Sequence, residues 1–143
     1  MDCTYFIFDL FDRKKWRRNK MEFDEIFNKV IGCALEVHKA LGPGLLESAY
    51  ERCLSFELSA ANLRHERQKE LGINYKGTTL DCGYRVDFMV ENELIIELKA
   101  VDKVHPIHEI QLLTYMKLAN IKTGLLINFN VKKLKDGIKR FVF

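Results

Sequence analysis

From Met21 onward, apolar side chains recur at three- and four-residue steps: Phe23, Ile26, Phe27, Val30, Ile31, Ala34, Leu35 and Leu41, with His38 on the same face. That period predicts an amphipathic helix, and Gly42-Pro43-Gly44 stops it. A second helix is expected over about 45–61, with Leu46, Ala49, Tyr50, Cys53, Leu54 and Leu58 facing inward. After Asn62 the period changes to two. Leu71, Ile73 and Tyr75 alternate as a strand, Lys76-Gly77 turns the chain, and 80–90 continues extended. Glu91 and Asn92 mark another turn, and 94–101 reads as a third strand. Pro106 suits the first position of a helix, where its missing N–H costs nothing; that helix carries Ile110, Leu113 and Leu118 inward and ends near Asn120. An apolar strand follows at 123–130, and 137–143 forms one more. The order helix, helix, three strands, helix, strand predicts an α/β fold, a small mixed sheet flanked by helices.

Composition narrows the class. The chain of 143 residues is 48% hydrophobic and 30% charged, with two Pro, which fits one packed domain and excludes two large ones, collagen-like repeats and low-complexity disorder. No apolar run approaches the roughly 20 residues of a membrane span, so a soluble protein with no membrane partner is expected. Four cysteines, at positions 3, 33, 53 and 82, form no CxxC pair. This argues against a zinc finger or a secreted disulfide framework and for reduced thiols in the cytoplasm.

Charge is uneven along the chain. The first twenty residues hold six basic and three acidic side chains, and from Met21 onward 17 basic and 17 acidic residues balance. The formal +3 therefore belongs to the leader, and bulk electrostatics do not mark the rest as a nucleic-acid binder. The leader's apolar stretch precedes its basic cluster RKKWRRNK, the reverse of a signal peptide. Residues 1–21 are expected to be a basic, poorly ordered extension, with a phosphate-contacting arm as the other reading. Residues 22–143 then make the single domain.

The chemistry-bearing candidates are Asp87 on the second strand and Glu97-Leu98-Lys99 on the third. Side chains alternate along a strand, so Glu97 and Lys99 share one face. Register decides whether Asp87 joins them. A two-residue loop at Glu91-Asn92 sets Asp87 opposite Ile96, on the wrong face; a three-residue loop through Glu93 sets it opposite Glu97, with Arg85 opposite Lys99. Two adjacent carboxylates repel unless a cation or a proton intervenes. Oxygen ligands suit magnesium or manganese, which polarise a phosphoryl oxygen and acidify a bound water, while Lys99 offsets developing negative charge. The same spacing arises by chance on amphipathic strands with solvated charges.

Two helical patterns add to this. Gly44, Glu47 and Tyr50 follow one another at three-residue steps, which brings Glu47 near the core-facing side, where an unpartnered carboxylate is costly. A boundary glutamate paired with Lys or Arg fits equally well. His108, Gln111 and Tyr115 share one side of the later helix.

The segment GLLESAY at 44–50 resembles the signature of the GxxExxY proteins. The likeness continues through YRVDF at 84–88, IIELKA at 95–100, HEIQLLTYMKL at 108–118 and GLLINF at 124–129. That family is similar to the PD-(D/E)XK nuclease superfamily, whose restriction-endonuclease-like core is a helix, three strands, a helix and a strand. The resemblance implies that Asp87, Glu97 and Lys99 are catalytic, that Glu47, Asp87 and Glu97 hold Mg2+ or Mn2+, and that Gln111 and Tyr115 match the QxxxY element of RecB-type nucleases. Tyr50 and His38 follow as supporting residues, His38 as the counterpart of a histidine sometimes found near the metal. Some RecB-type relatives hold an iron–sulfur cluster through four cysteines; the scattered cysteines here predict none.

The function expected is divalent-metal-dependent hydrolysis of phosphodiester bonds, with DNA as the substrate. A module that keeps the nuclease fold but only binds nucleic acid or protein is the alternative. A protein partner or self-association is compatible with either.

Overall fold

The computed structural model describes residues 13–143, with side chains from residue 25 on. Helix α1 (Arg13–Leu41) opens ahead of Met21, and the leader's apolar stretch at 5–11 lies outside the described residues. His38 and Lys39 in its last turn complement the negative end of the helix dipole. Gly42 ends it in the left-handed region at φ +64, its N–H donating back to the His38 carbonyl at 2.8 Å.

Helix α2 (Glu47–Ala60) buries Tyr50, Leu54 and Leu58, three positions at helical spacing. Leu46, expected inward, precedes the helix and is 77% exposed. Strands β1 (His65–Tyr75) and β2 (Thr78–Val90) form a long antiparallel hairpin. β1 starts at His65 instead of Leu71, because the polar run HERQKE is an edge strand made by pairing with β2, with no apolar alternation to announce it.

Strand β3 (Leu94–Lys99) pairs antiparallel with β2 and parallel with β4 (Thr123–Asn128), and helix α3 (Pro106–Ala119) makes the crossover between them. A 3-10 turn (Leu134–Gly137) leads to β5 (Ile138–Val142), which closes a sheet of order β1-β2-β3-β4-β5. β3 and β4 stop two residues before the ends predicted for them. There the buried Asn128 side chain takes over from the ladder, accepting from the Val101 N–H at 3.1 Å and donating to its carbonyl at 2.9 Å.

Both faces of the sheet are covered. Leu94, Ile96, Leu98, Leu125 and Ile127 pack with α1 and α2, whereas Ile95 and Leu126 pack with α3. Central strands buried on two sides read as continuous apolar runs. Helix α3 presents Leu112, Tyr115 and Met116; Ile110, expected inward, is 53% exposed. Its inward stripe is one step round from the predicted one, and Met116 seats over Gly124, where a side chain would collide with its sulfur. The order α2, β1, β2, β3, α3, β4 is the helix, three strands, helix, strand core expected from sequence, extended by α1 and β5.

Candidate active site

The β2–β3 register is Phe88 with Ile96, Met89 with Ile95 and Val90 with Leu94. This is the three-residue loop that the sequence argument required. Glu91 and Asn92 adopt left-handed φ values of 51 and 52, and Arg64 pins the turn: its backbone N–H donates to Glu91 Oε1 at 2.8 Å and its guanidinium to Oε2 at 3.0 and 3.1 Å. The next rung would join Asp87 to Glu97. The strands part there instead. β2 stays with β1, where Arg85 pairs with Glu70 and not with Lys99, and β3 stays with β4 as far as Lys99 and Asn128.

In this fork two backbone N–H groups are capped by carboxylates. The Asp87 N–H donates to Glu97 Oε1 at 3.2 Å, and the Leu98 N–H donates to Asp87 Oδ2 at 2.8 Å. Each acid thereby holds the other's strand. Glu97 is only 5% exposed, and burial, followed by the charge of Asp87, pushes its carboxyl up to about 9. A proton on Glu97 is shared with Asp87, whose own carboxyl is raised by burial and held back by the Leu98 N–H.

Other groups face the pair. Lys99 is close enough to favour the ionised forms of both Glu97 and Glu47. Glu47, in the first turn of α2, is raised first by burial and next by Asp87, so it shares the field of the fork. From α3, Gln111 donates to the Tyr115 hydroxyl at 2.9 Å. Burial and then the charge of Glu97 raise the Tyr115 phenol, which places that pair beside the acids; the Tyr84 ring lies 6.1 Å from the Tyr115 ring.

Tyr50 and His38 lie in packing and turn contacts. Tyr50 is fully buried and stacks on Phe129 at 4.5 Å; its hydroxyl donates to the Gly42 carbonyl and accepts from the Leu45 N–H, so it fastens the turn that delivers Glu47 and has no surface to offer a substrate. His38 Nε2 donates to the Val131 carbonyl at 2.7 Å, tying α1 to the segment after β4.

Among the described residues no three His, Cys, Asp or Glu side chains form a ready-made metal cluster. Asp87 and Glu97 form an adjacent acidic pair, and Glu47 lies within electrostatic reach of Asp87. The donor chemistry still fits a hard divalent cation: the available ligands are carboxylate oxygens, and the pair carries a charge conflict that a cation resolves as well as a proton does. Cys33, Cys53 and Cys82 are free thiols.

Sequence reasoning missed Gln68 and Glu51. The Gln68 amide donates at 3.1 Å both to Asp87 Oδ1 and to Glu51 Oε2. Glu51 lies one turn beyond Glu47 on α2, a spacing that could have nominated it; nothing in the polar run ERQKE singled out Gln68.

No described helix is long and apolar enough to cross a membrane. A family model described as the PD-(D/E)XK nuclease superfamily matches residues 24–141. No curated protein matches. Among solved structures, one described as the crystal structure of SSO0001 is similar at 21% identity and a TM-score of 0.47, covering 86% of this chain. The chain spans 60% of that structure's length.

Proposed function

Because the chain belongs to the PD-(D/E)XK nuclease superfamily, we propose that it hydrolyses phosphodiester bonds in DNA with the help of a divalent cation, Mg2+ or Mn2+. The observation that carries this reading is the fork in which Asp87 and Glu97, on diverging strands, each cap the other's backbone beside Lys99. Superfamily membership supports nuclease chemistry; the choice of DNA and of the cation is our reading.

Asp87 and Glu97 would hold the cation, and Glu47 would join them directly or through a water. When bound, the cation supplies Lewis-acid polarisation of the phosphoryl oxygen and a more acidic water. The protein's residues do the rest. Lys99 brings its positive charge to where the phosphate gains negative charge in the transition state, a stabilisation that is strongest in a partly buried site. Leu98 and Asp87 N–H groups fix the carboxylates in place, so little reorganisation is needed during the reaction. Tyr115, oriented by Gln111, borders the acids where a sugar or phosphate would lie.

The test is cleavage of single- and double-stranded DNA by purified protein over a titration of Mg2+ or Mn2+. Cleavage that needs the metal and vanishes in Asp87→Ala and Lys99→Ala, with the fold retained, supports the reading. Binding without cleavage at every metal concentration would replace it with the interaction module.

A further inference from the structure

Gln68 stands at a break in β1. Its neighbours pair regularly with β2, Arg67 with Phe88 and Lys69 with Val86, while Gln68 itself leaves the ladder with φ +49. That left-handed conformation is unusual for a side-chain-bearing residue inside a strand, and such departures persist where the surroundings over-determine them. Successive strand side chains normally point to opposite faces. Here they do not: the Arg67 guanidinium donates to Glu51 Oε1 at 3.3 Å and the Gln68 amide donates to Glu51 Oε2 at 3.1 Å. The break turns Gln68 so that the two hydrogens of one amide can serve two carboxylates, Glu51 on α2 and Asp87 on β2.

We infer that Gln68 is a positioning residue that clamps Asp87 in the orientation the site uses and ties it to helix α2 through Glu51. With Oδ1 bound to Gln68 and Oδ2 bound to the Leu98 N–H, both oxygens of Asp87 have fixed partners, and the carboxylate cannot rotate without losing one. The amide also brings donors, with no acceptor used, into a region where Glu47, Glu51, Asp87 and Glu97 would otherwise repel. The same α2 that supplies Glu47 is thereby coupled to the strand that supplies Asp87.

The inference rests on the nuclease reading, and its test separates the two. Gln68→Gly tolerates the left-handed backbone and removes only the amide, so it is expected to fold as the parent does. The first readout is amide hydrogen exchange at Leu98 in the metal-free protein. Freed from its clamp, Asp87 should leave the Leu98 N–H exchanging about tenfold faster in Gln68→Gly, with Ile96 and Leu126 unchanged. The second is cleavage, where kcat should fall about tenfold or more at little-changed KM. Combining Gln68→Gly with Glu51→Ala should add little to either loss, since both act through one bridge. Unchanged Leu98 exchange in a folded Gln68→Gly overturns the clamp. Faster Leu98 exchange in Gln68→Gly than in the parent, when the parent itself cleaves no DNA, supports the clamp and overturns the nuclease reading alone. If Gln68→Gly does not fold, Gln68→Asn, which also tolerates the left-handed region but is one methylene short, is measured in the same way and must show the faster Leu98 exchange.

Discussion

Replacing Glu97 by Gln should make the metal-free protein more stable at alkaline pH, although the same change should destroy its chemistry. In the folded chain the Glu97 carboxyl is pushed up to about 9, against an ordinary value near 4.5, by burial and by the charge of Asp87. Between those two values the folded state holds a proton that the unfolded state has lost. Stability from this group is therefore complete below about pH 4.5 and is lost as pH rises through about 9. The slope in that window is about 1.4 kcal/mol per pH unit, so the step from pH 6 to pH 8 costs about 3 kcal/mol. For a chain of this size that corresponds to roughly 5–10 °C in melting temperature. Gln is neutral at every pH, keeps an oxygen for the Asp87 N–H and offers an N–H to the Asp87 carboxylate, so this part of the slope should vanish. The assay is urea or thermal unfolding of both proteins in EDTA from pH 5 to 9. The parent should fall away from Glu97→Gln as pH rises, and added Mg2+ should narrow the gap by favouring the ionised pair. Parallel pH profiles, or a variant less stable than the parent at pH 8, would refute the reasoning.

Further expectations concern single groups. Asp87→Asn should reduce DNA cleavage by about a thousandfold or more and, by removing the second cause of its shift, bring the Glu97 carboxyl down, which a pH titration followed by carboxyl NMR would register. Lys99→Ala should abolish turnover while leaving far-UV circular dichroism and the melting profile close to the parent's, because Lys99 is the one residue of β3 that is not buried. Tyr50→Phe should cost about 1–3 kcal/mol in urea unfolding, since its hydroxyl leaves the Gly42 carbonyl and the Leu45 N–H without a partner in a part-buried turn; a loss of kcat in a fully folded Tyr50→Phe would show that this turn also positions Glu47.

How far the sequence announced this molecule depended on what each residue is paid in contacts. Elements that bury an apolar face were legible, as with the three- and four-step spacing of α1 and the unbroken apolar runs of β3 and β4. β1 was not legible over HERQKE, because hydrogen bonds to β2 hold that edge strand and hydrophobic burial does not. For the site, the D…ExK spacing and the choice between two hairpin registers located Asp87 and Glu97, since the alternative register reverses a face. Tyr50 was nominated by its step from Glu47 on one helix and His38 by the resemblance alone; in the fold Tyr50 stacks on Phe129 and His38 bonds to Val131, packing contacts that the spacing of the sequence does not announce. Gln68 escaped altogether, because a break in strand geometry is a tertiary event with no periodic signature.

The most direct trial of the central claim is an anomalous difference map from crystals soaked in Mn2+. A peak between the carboxylates of Asp87 and Glu97, with Lys99 and Glu47 facing it, is the predicted result. Manganese bound elsewhere at saturating concentration, with Glu97 still sharing its proton with Asp87, would contradict the account.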